Sequence, residues 1–262
     1  MTDEQIVRTA QHGAVRVVTL NRPHARNALS RDLIRASYAA LTEADADESV
    51  TAVVLTGADP AFCAGVDLKE AARDGTSYFA EFRSHSCIAA VAEMRTPVIG
   101  AINGATFTGG LEMALGCDFL IASERAVFAD THARVGILPG GGMTARLPQL
   151  VGAAMARRLS MTGEVVDAAR AERIGLVTEV VPHEDLLRRA VELAGQIADV
   201  PRPTMRGLKE IYTTGSAAVI EPALAAEEAI AFTQHRDSGD FDGLGDRFHA
   251  VTERNKGQIR PQ

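Results

Sequence analysis

The sequence has few cysteines, and they form no pattern that binds metal or carries redox chemistry. Its three thiols, Cys63, Cys87 and Cys117, lie far apart. This excludes a C-x-x-C site, and an odd number suits a reducing compartment. No apolar run reaches membrane-spanning length, and the opening MTDEQIVRTA lacks the basic and apolar regions of a secretion signal. We therefore expect a cytoplasmic protein that does not insert into a membrane.

Positive charge is also in short supply. The chain has 27 Lys and Arg residues against 34 Asp and Glu residues, which gives a formal net charge of -7. Because no broad positive surface can form, nucleic acid and anionic membranes are excluded as general partners. An anionic ligand must then be held locally, by a few Arg or Lys side chains and by backbone N–H groups.

Several catalytic motifs are missing as well. The seven histidines show no H-x-x-x-H spacing, so we expect no metal site. There is no G-x-S-x-G, which argues against an esterase nucleophile. The glycines at 140–142 form neither G-x-G-x-x-G nor a Walker loop, which argues against a nucleotide site.

Hydrophobic sequence, by contrast, is plentiful and arranged in alternating strand-like and helix-like segments. Hydrophobic residues make up 46% of the 262 residues, enough for a sizeable core. Strands are predicted at 15–20, 51–56, 98–102, 118–122 and 127–129. Helical spacing follows Ser30, and a second long helix is predicted over 77–94. Strands alternating with helices predict an α/β fold with mostly parallel pairing.

Only helical patterns remain beyond about residue 182. They cover residues 183–198, 203–212, 220–234 and 248–254. Pro201 and Pro203 form a natural joint before the last three of these helices. We therefore predict two units, an α/β core over residues 1–197 and a C-terminal helical region over residues 198–262.

Three glycine-containing turns are candidates for binding developing negative charge. FCAGVDL (62–68) and NGATFTGGLE (103–112) each lie just past an apolar strand, and LPGGGM (138–143) precedes a helical run. Glycine permits close backbone approach, and N–H groups at a helix N-terminus have no partner within the helix. Two such turns lying side by side can supply both donors of an oxyanion hole.

Glu112 adds a carboxylate to the second turn. It lies three residues after Gly109 among apolar neighbours, so its side chain can share a face with the N–H groups of the turn. Burial raises the pKa of a carboxyl group, which suits a general acid or base. The alternative is a partly exposed glutamate in a salt bridge.

Four segments, in this order, resemble the crotonase (enoyl-CoA hydratase/isomerase) superfamily. They are LNRPHARNAL (20–29), AFCAGVDL (61–68), INGATFTGGLEMALGCD (102–118) and LPGGGMTARL (138–147). The resemblance implies a crotonase-like spiral of β-β-α units with a C-terminal helical trimerisation region, and a homotrimer or a dimer of trimers. It also implies an enoyl-CoA hydratase that acts on an acyl-CoA thioester through an enolate, in fatty-acid β-oxidation or related degradation.

The same resemblance implies roles for individual residues. The backbone N–H groups of Ala64 and Gly109 would form the oxyanion hole around the thioester carbonyl. Coenzyme A would be part of the substrate, with no separate cofactor, and would bend around Arg22, Arg26, Ala28, Ala64, Asp67 and Leu68. Arg22 and Arg26 suit its phosphates, because guanidinium groups make bidentate phosphate contacts.

One position departs from the family pattern. Hydratases of the family carry a second glutamate where gap-free alignment from Phe128 to Pro139 puts His132. An imidazole can hold or give a proton near neutral pH, and Asp130 is another substitute. His132 can also be mere pocket filling, or Glu112 can handle a single water alone. A double-bond isomerase, another crotonase-type lyase and a non-catalytic acyl-CoA binding protein stay open as alternative functions.

Overall fold

A six-stranded sheet forms the centre of the fold. The computed structural model describes residues 5–238 and 243–259. The strands are β1 (Val7–His12), β2 (Val15–Leu20), β3 (Ala52–Gly57), β4 (Ala61–Cys63), β5 (Val98–Ile102), β6 (Ala105–Phe107), β7 (Phe119–Ser123), β8 (Val127–Ala129), β9 (Val166–Asp167) and β10 (Glu179–Val181). The helices are α1 (Arg31–Ala46), α2 (Leu68–Asp74), α3 (Thr76–Ser84), α4 (Cys87–Glu93), α5 (Gly109–Leu115), α6 (His132–Val135), α7 (Met143–Val151), α8 (Ala153–Thr162), α9 (Ala168–Arg173), α10 (Leu186–Ala198), α11 (Arg202–Ser238) and α12 (Leu244–Gln258).

The strands form two sheets built from one repeated unit. The larger sheet has the order β1-β2-β3-β5-β7-β10 and is parallel except for the β1–β2 pair. The smaller sheet has the order β4-β6-β8-β9 and is parallel except for β8–β9. Each of the pairs β3–β4, β5–β6 and β7–β8 thus puts one strand in each sheet before a helix follows. This is the predicted spiral of β-β-α units, and the fold prediction is confirmed.

The core lies on both faces of the larger sheet. All six residues of β3 are buried, as its continuous apolar run predicts for a central parallel strand. Because side chains alternate along a strand, Val53 and Leu55 join the main core, while Val54 packs on the other face with Ala190 and Ala194 of α10. The helix α10 therefore covers the face that the main core leaves open.

The prediction of one helix over 77–94 is wrong. The structure has two helices there, α3 and α4, separated at His85 and Ser86. His85 departs from helical geometry, with φ −141° and ψ 50°, and the Ser86 hydroxyl caps α4 by accepting the N–H of Ala89 at 3.1 Å. A serine cap starts a new helix at this point. The sequence alone does not reveal the break, since serine also occurs inside helices.

The prediction of two separate helices over 203–212 and 220–234 is also wrong, because both lie in the single 37-residue helix α11. The hydroxyls of Thr213 and Ser216 donate to the carbonyls of Lys209 and Tyr212, each at 3.0 Å and four residues earlier. These side chains are therefore satisfied inside the helix and do not end it.

Cationic side chains anchor the start of α11 to the α/β body. Arg206 Nη2 donates to the Asp45 carbonyl at 2.7 Å, and Lys209 Nζ donates to Asp118 Oδ2 at 2.7 Å. Asp45 lies near the end of α1, and Asp118 directly precedes β7. The helical tail therefore packs on the body of its own chain.

The division into residues 1–197 and 198–262 stays a prediction. Residues 1–4, 239–242 and 260–262 belong to these predicted units and lie outside the described residues. Within the described ranges, no helix combines the length and the apolar character needed to cross a bilayer.

Candidate active site

The first two glycine turns lie against each other. Gly65 has a φ of 90°, and a Cβ there would overlap Thr108 Oγ1 and lie 2.8 Å from the Phe107 carbonyl oxygen. A Cβ on Gly110 would likewise overlap the carbonyl oxygen of Cys63. Glycine is needed at both positions so that the backbones can approach this closely. The two turns are therefore side by side, as an oxyanion hole requires.

Thr108 adopts a strained backbone just before α5. Its φ of 47° and ψ of −117° are rarely adopted by a residue with a branched side chain. Such strain costs on the order of 1–3 kcal/mol and concentrates at functional sites. The peptide bond between Thr108 and Gly109 carries the Gly109 N–H, which begins the helix without an intrahelical partner. The strained dihedral angles of Thr108 therefore determine the orientation of the peptide bond that carries the predicted donor, the Gly109 N–H.

The Ala64 N–H is not free to act as the predicted oxyanion donor. The Ala64 N–H already donates to the Arg26 carbonyl oxygen at 3.0 Å. Among the hydrogen bonds of the described residues, none uses the N–H of Val66, two positions further on. Val66 also lines the same cavity as Gly109. The free donor on this turn is therefore the Val66 N–H, and the contact that occupies Ala64 crosses 38 positions of sequence.

A cavity of about 790 Å³ opens beside the two turns. Val66, Gly109, Glu112 and His132 all line it. Leu224 and Ala231 of α11 form part of its wall, so the helical tail takes part in the site. A cavity of this size lies in the usual range for small-molecule sites.

Glu112 lies in this cavity as a buried carboxylate. Only 3% of the residue is exposed. Its Oε1 accepts the N–H of Gly141 at 2.8 Å and, more weakly, that of Met143 at 3.4 Å. Burial raises the pKa of Glu112, although nearby His132 and the Gly141 N–H oppose the change. The prediction of a buried glutamate is confirmed, and the salt-bridged surface alternative is excluded.

His132 lies directly beside Glu112 and is 5% exposed. Its Nε2 is 3.8 Å from Glu112 Oε2, and its Nδ1 is 2.7 Å from Asp130 Oδ1. Burial by itself lowers the pKa of His132, but the Glu112 and Asp130 carboxylates outweigh it, so the pKa is raised. The position that gap-free alignment gives for the second acid/base group therefore holds a titratable side chain that lines the cavity.

Asp130 contacts the ring nitrogen of His132 that is opposite to the one nearest Glu112. Its Oδ1 also accepts the His132 backbone N–H at 3.2 Å. Burial tends to raise the pKa of Asp130, but the hydrogen bond and the charge of His132 lower it overall. Asp130 contacts the imidazole and does not line the large cavity. Its geometry suits an orienting group rather than a direct substitute for the second glutamate.

The predicted coenzyme-A residues are brought together, but two of them bind each other. Arg22 Nη1 lies 2.5 Å from Asp67 Oδ2 and donates to the Ala28 carbonyl at 3.1 Å. Asp67 also caps α2, accepting the N–H groups of its first turn. Arg26 is exposed, and Leu68 packs partly against the core. Of the two predicted arginines, Arg26 is the one without a carboxylate partner among the described residues.

Glu227 of α11 also lies beside the site, although no sequence pattern indicates it. Its Oε1 accepts the Gly142 N–H at 2.6 Å and its Oε2 the Thr144 N–H at 2.7 Å. Arg146 Nη1, nearby, donates to the Gly141 carbonyl at 2.8 Å. Glu227 has no motif around it and lies 85 positions from Gly142. No local signal can find such a contact.

Comparison with known proteins gives one consistent result. Residues 10–256 match the family model described as enoyl-CoA hydratase/isomerase. A probable enoyl-CoA hydratase of Rhizobium meliloti is 44% identical over 205 residues, covering 76% of this chain and 77% of the relative. A short-chain-enoyl-CoA hydratase of Clostridium acetobutylicum is 37% identical over 220 residues, covering 83% and 84%.

The solved structures agree in fold as well as in sequence. The crystal structure of an enoyl-CoA hydratase from Mycobacterium tuberculosis superposes with a TM-score of 0.80 at 48% identity, covering 90% of this chain and 98% of the other. Within the described residues, no group of three or more potential ligand side chains is arranged to hold a metal ion.

Proposed function

Since the chain belongs to the enoyl-CoA hydratase/isomerase family, we propose that it is an enoyl-CoA hydratase that adds water across the 2,3 double bond of a 2-enoyl-CoA thioester. The observation that carries this proposal is the pair of buried titratable groups, Glu112 and His132, 3.8 Å apart in one cavity. Hydration needs one group to take a proton from water and another to give a proton to carbon. The two side chains supply both.

The N–H groups of Val66 and Gly109 hold the thioester carbonyl oxygen. Both residues line the cavity that contains Glu112. As negative charge develops on that oxygen, two fixed donors stabilise the enolate without reorganising. Loss of one such donor costs about 3–4 kcal/mol in the transition state. This arrangement keeps the predicted role of Gly109 and moves the predicted role of Ala64 to Val66.

Glu112 and His132 divide the proton transfers. The water oxygen bonds to C3 while the Glu112 carboxylate accepts the proton that the water loses. The His132 imidazolium then gives a proton to C2 of the enolate, and the thioester carbonyl is restored. The proton held by Glu112 then passes to the neutral His132 imidazole, whose Nε2 lies 3.8 Å from Glu112 Oε2, and both groups return to their starting states. Asp130, hydrogen-bonded to Nδ1, keeps the imidazole oriented and supports its charge.

Coenzyme A enters as part of the substrate, so the reaction uses no separate cofactor. Arg26 supplies a positive charge for the phosphates of coenzyme A. The ion pair between Arg22 and Asp67 holds the neighbouring loops 22–28 and 64–68 together. The backbone also joins these loops, because the Ala64 N–H donates to the Arg26 carbonyl oxygen at 3.0 Å, and this contact supports a shared binding edge.

The cellular setting is part of the same proposal. We place the enzyme in the cytoplasm, in fatty-acid β-oxidation or related degradation, and the three free thiols suit a reducing compartment. We also propose a homotrimer or a dimer of trimers. Exposed apolar side chains on α11, among them Ile211 at 70% and Tyr212 at 74% exposure, support a surface that another copy covers.

The first experiment measures the loss of enoyl absorbance when purified protein meets crotonyl-CoA and longer 2-enoyl-CoA thioesters. Turnover by the wild type establishes the hydratase, and the chain-length series gives the preferred substrate. Conversion of a 3-enoyl-CoA to the 2-enoyl isomer, without hydration, would instead identify an isomerase. Binding of acyl-CoA without turnover of any thioester would identify a binding protein.

A further inference from the structure

We propose that Glu227 is a positioning residue that holds the Gly140–Thr144 turn against Glu112 and thereby sets the geometry and charge of the catalytic carboxylate. Successive N–H groups of this turn point to the two carboxylates in alternation. The N–H groups of Gly141 and Met143 donate to Glu112. Those of Gly142 and Thr144 donate to Glu227. This inference rests on the proposed catalytic role of Glu112.

The Glu227 carboxylate is buried and accepts several hydrogen bonds from the turn. It is 7% exposed, and each of its carboxylate oxygens accepts a backbone N–H, from Gly142 and Thr144. The Thr144 hydroxyl donates to Oε2 as well. These three donors all belong to the turn that begins α7, so they fix the position of the Glu227 carboxylate at the start of that helix.

The turn has an unusual backbone and lies close to the catalytic carboxylate. Gly142 has a φ of 103°, which glycine tolerates and other residues rarely adopt. Gly141 accepts from Arg146 Nη1 at 2.8 Å through its carbonyl oxygen. A Cβ on Gly141 would lie 2.7 Å from Glu112 Oε2, so a small displacement of the turn changes the room around the catalytic carboxylate.

Glu227 also acts through its charge. Its carboxylate is one of the groups that raise the pKa of Glu112, after burial, while the Gly141 hydrogen bond lowers it. Among the described residues, His132, Glu227, Asp130 and Arg146 act on Glu112 through their charge, and Glu93 and Glu228 line the same cavity. Removal of the Glu227 charge should thus favour ionised Glu112 at lower pH. A side chain that merely packs a helix has no such effect.

The test compares Glu227→Gln with Glu221→Gln, an exposed glutamate on the same helix, in steady-state hydration of crotonyl-CoA from pH 4.5 to 9. Glu227→Gln keeps the shape but loses the charge and one acceptor. We expect kcat to fall about 10- to 100-fold, KM for the thioester to stay within about twofold because Glu227 does not line the cavity, and the acid limb of kcat/KM to move to lower pH. Glu221→Gln should match the wild type.

Thr144→Val provides a second variant that retains the Glu227 charge and removes only the hydroxyl donor. It should lower kcat less than Glu227→Gln does and leave the acid limb in place, with the folded state checked by circular dichroism and thermal unfolding. Unchanged kcat and an unchanged acid limb in folded Glu227→Gln overturn the inference. So does an acid limb that moves in Thr144→Val. Full activity of Glu112→Gln would instead overturn the proposed function, which separates the two failures.

Discussion

His132 Nε2 lies 3.8 Å from Glu112 Oε2, and the opposite ring nitrogen of His132 lies 2.7 Å from Asp130 Oδ1. The imidazole is thus placed between two carboxylates in a buried site. Each carboxylate favours the protonated ring, while the ring favours ionised carboxylates. The imidazole is therefore placed to hold a proton next to the cavity, and whether it carries that proton depends on pH.

Replacement of the catalytic carboxylate by its amide is the most direct test of the proposed chemistry. Glu112→Gln keeps the volume but cannot take a proton from water, so kcat should fall about 10²- to 10⁴-fold. The exposed Glu48→Gln is a matched control and should behave as wild type. Near-normal hydration by Glu112→Gln would exclude this residue as the base.

The pH dependence of hydration should have an alkaline limb that belongs to His132. Because the pKa of His132 is raised, the imidazolium that protonates C2 persists above the ordinary histidine range, and the rate falls only as pH rises through the raised value. His132→Gln should lose this limb together with most of the activity. Asp130→Asn should move the limb to lower pH, since one supporting carboxylate is gone. A limb that stays in His132→Gln must come from another group.

Amide-to-ester replacement, which removes a single N–H, distinguishes the two candidate oxyanion donors. The ester at position 66 should lower kcat about 10²- to 10³-fold with little effect on stability. The ester at position 64 removes the hydrogen bond to the Arg26 carbonyl and should instead lower the free energy of unfolding by about 1 kcal/mol. Equal losses of kcat for both esters, or a larger loss at position 64, would return the donor role to Ala64.

Close packing of the two glycine turns predicts a strong steric effect at Gly65. Gly65→Ala brings a methyl group into Thr108 and strains a residue with φ of 90°. We expect the free energy of unfolding to fall by about 2–4 kcal/mol. Gly13→Ala is the control, because Gly13 has a φ of 61° but nothing within 4 Å, and it should cost about 1 kcal/mol. Urea unfolding measures both, and equal losses would show that backbone strain alone matters.

Much of the fold could be predicted from local patterns. Continuous apolar runs identify β3 and β5, since strands buried on both faces have no polar alternation. The glycine turns and Glu112 follow from their position just after such strands. Two helix boundaries do not follow from local patterns, because Ser86 and Thr213 both carry hydroxyls. One caps a new helix and the other donates back into its own helix, and only tertiary packing decides between them.

The errors in the site have one common cause. The Ala64 N–H is occupied by Arg26, and Glu227 contacts Gly142 across 85 positions. Neither contact has a signal in the residues next to it. Residue type and spacing predict which groups can do chemistry, whereas the choice between neighbouring backbone donors depends on which of them the folded chain has already used.

The contribution of α11 to the cavity wall has a consequence for how the protein is made. Leu224 and Ala231 follow all three β-β-α repeats along the chain, so during synthesis the repeats emerge from the ribosome before the segment that completes the cavity wall. Hydration activity then begins only once α11 has been synthesised and docked. Activity in a cell-free translation reaction would report the completion of folding, not the appearance of the core.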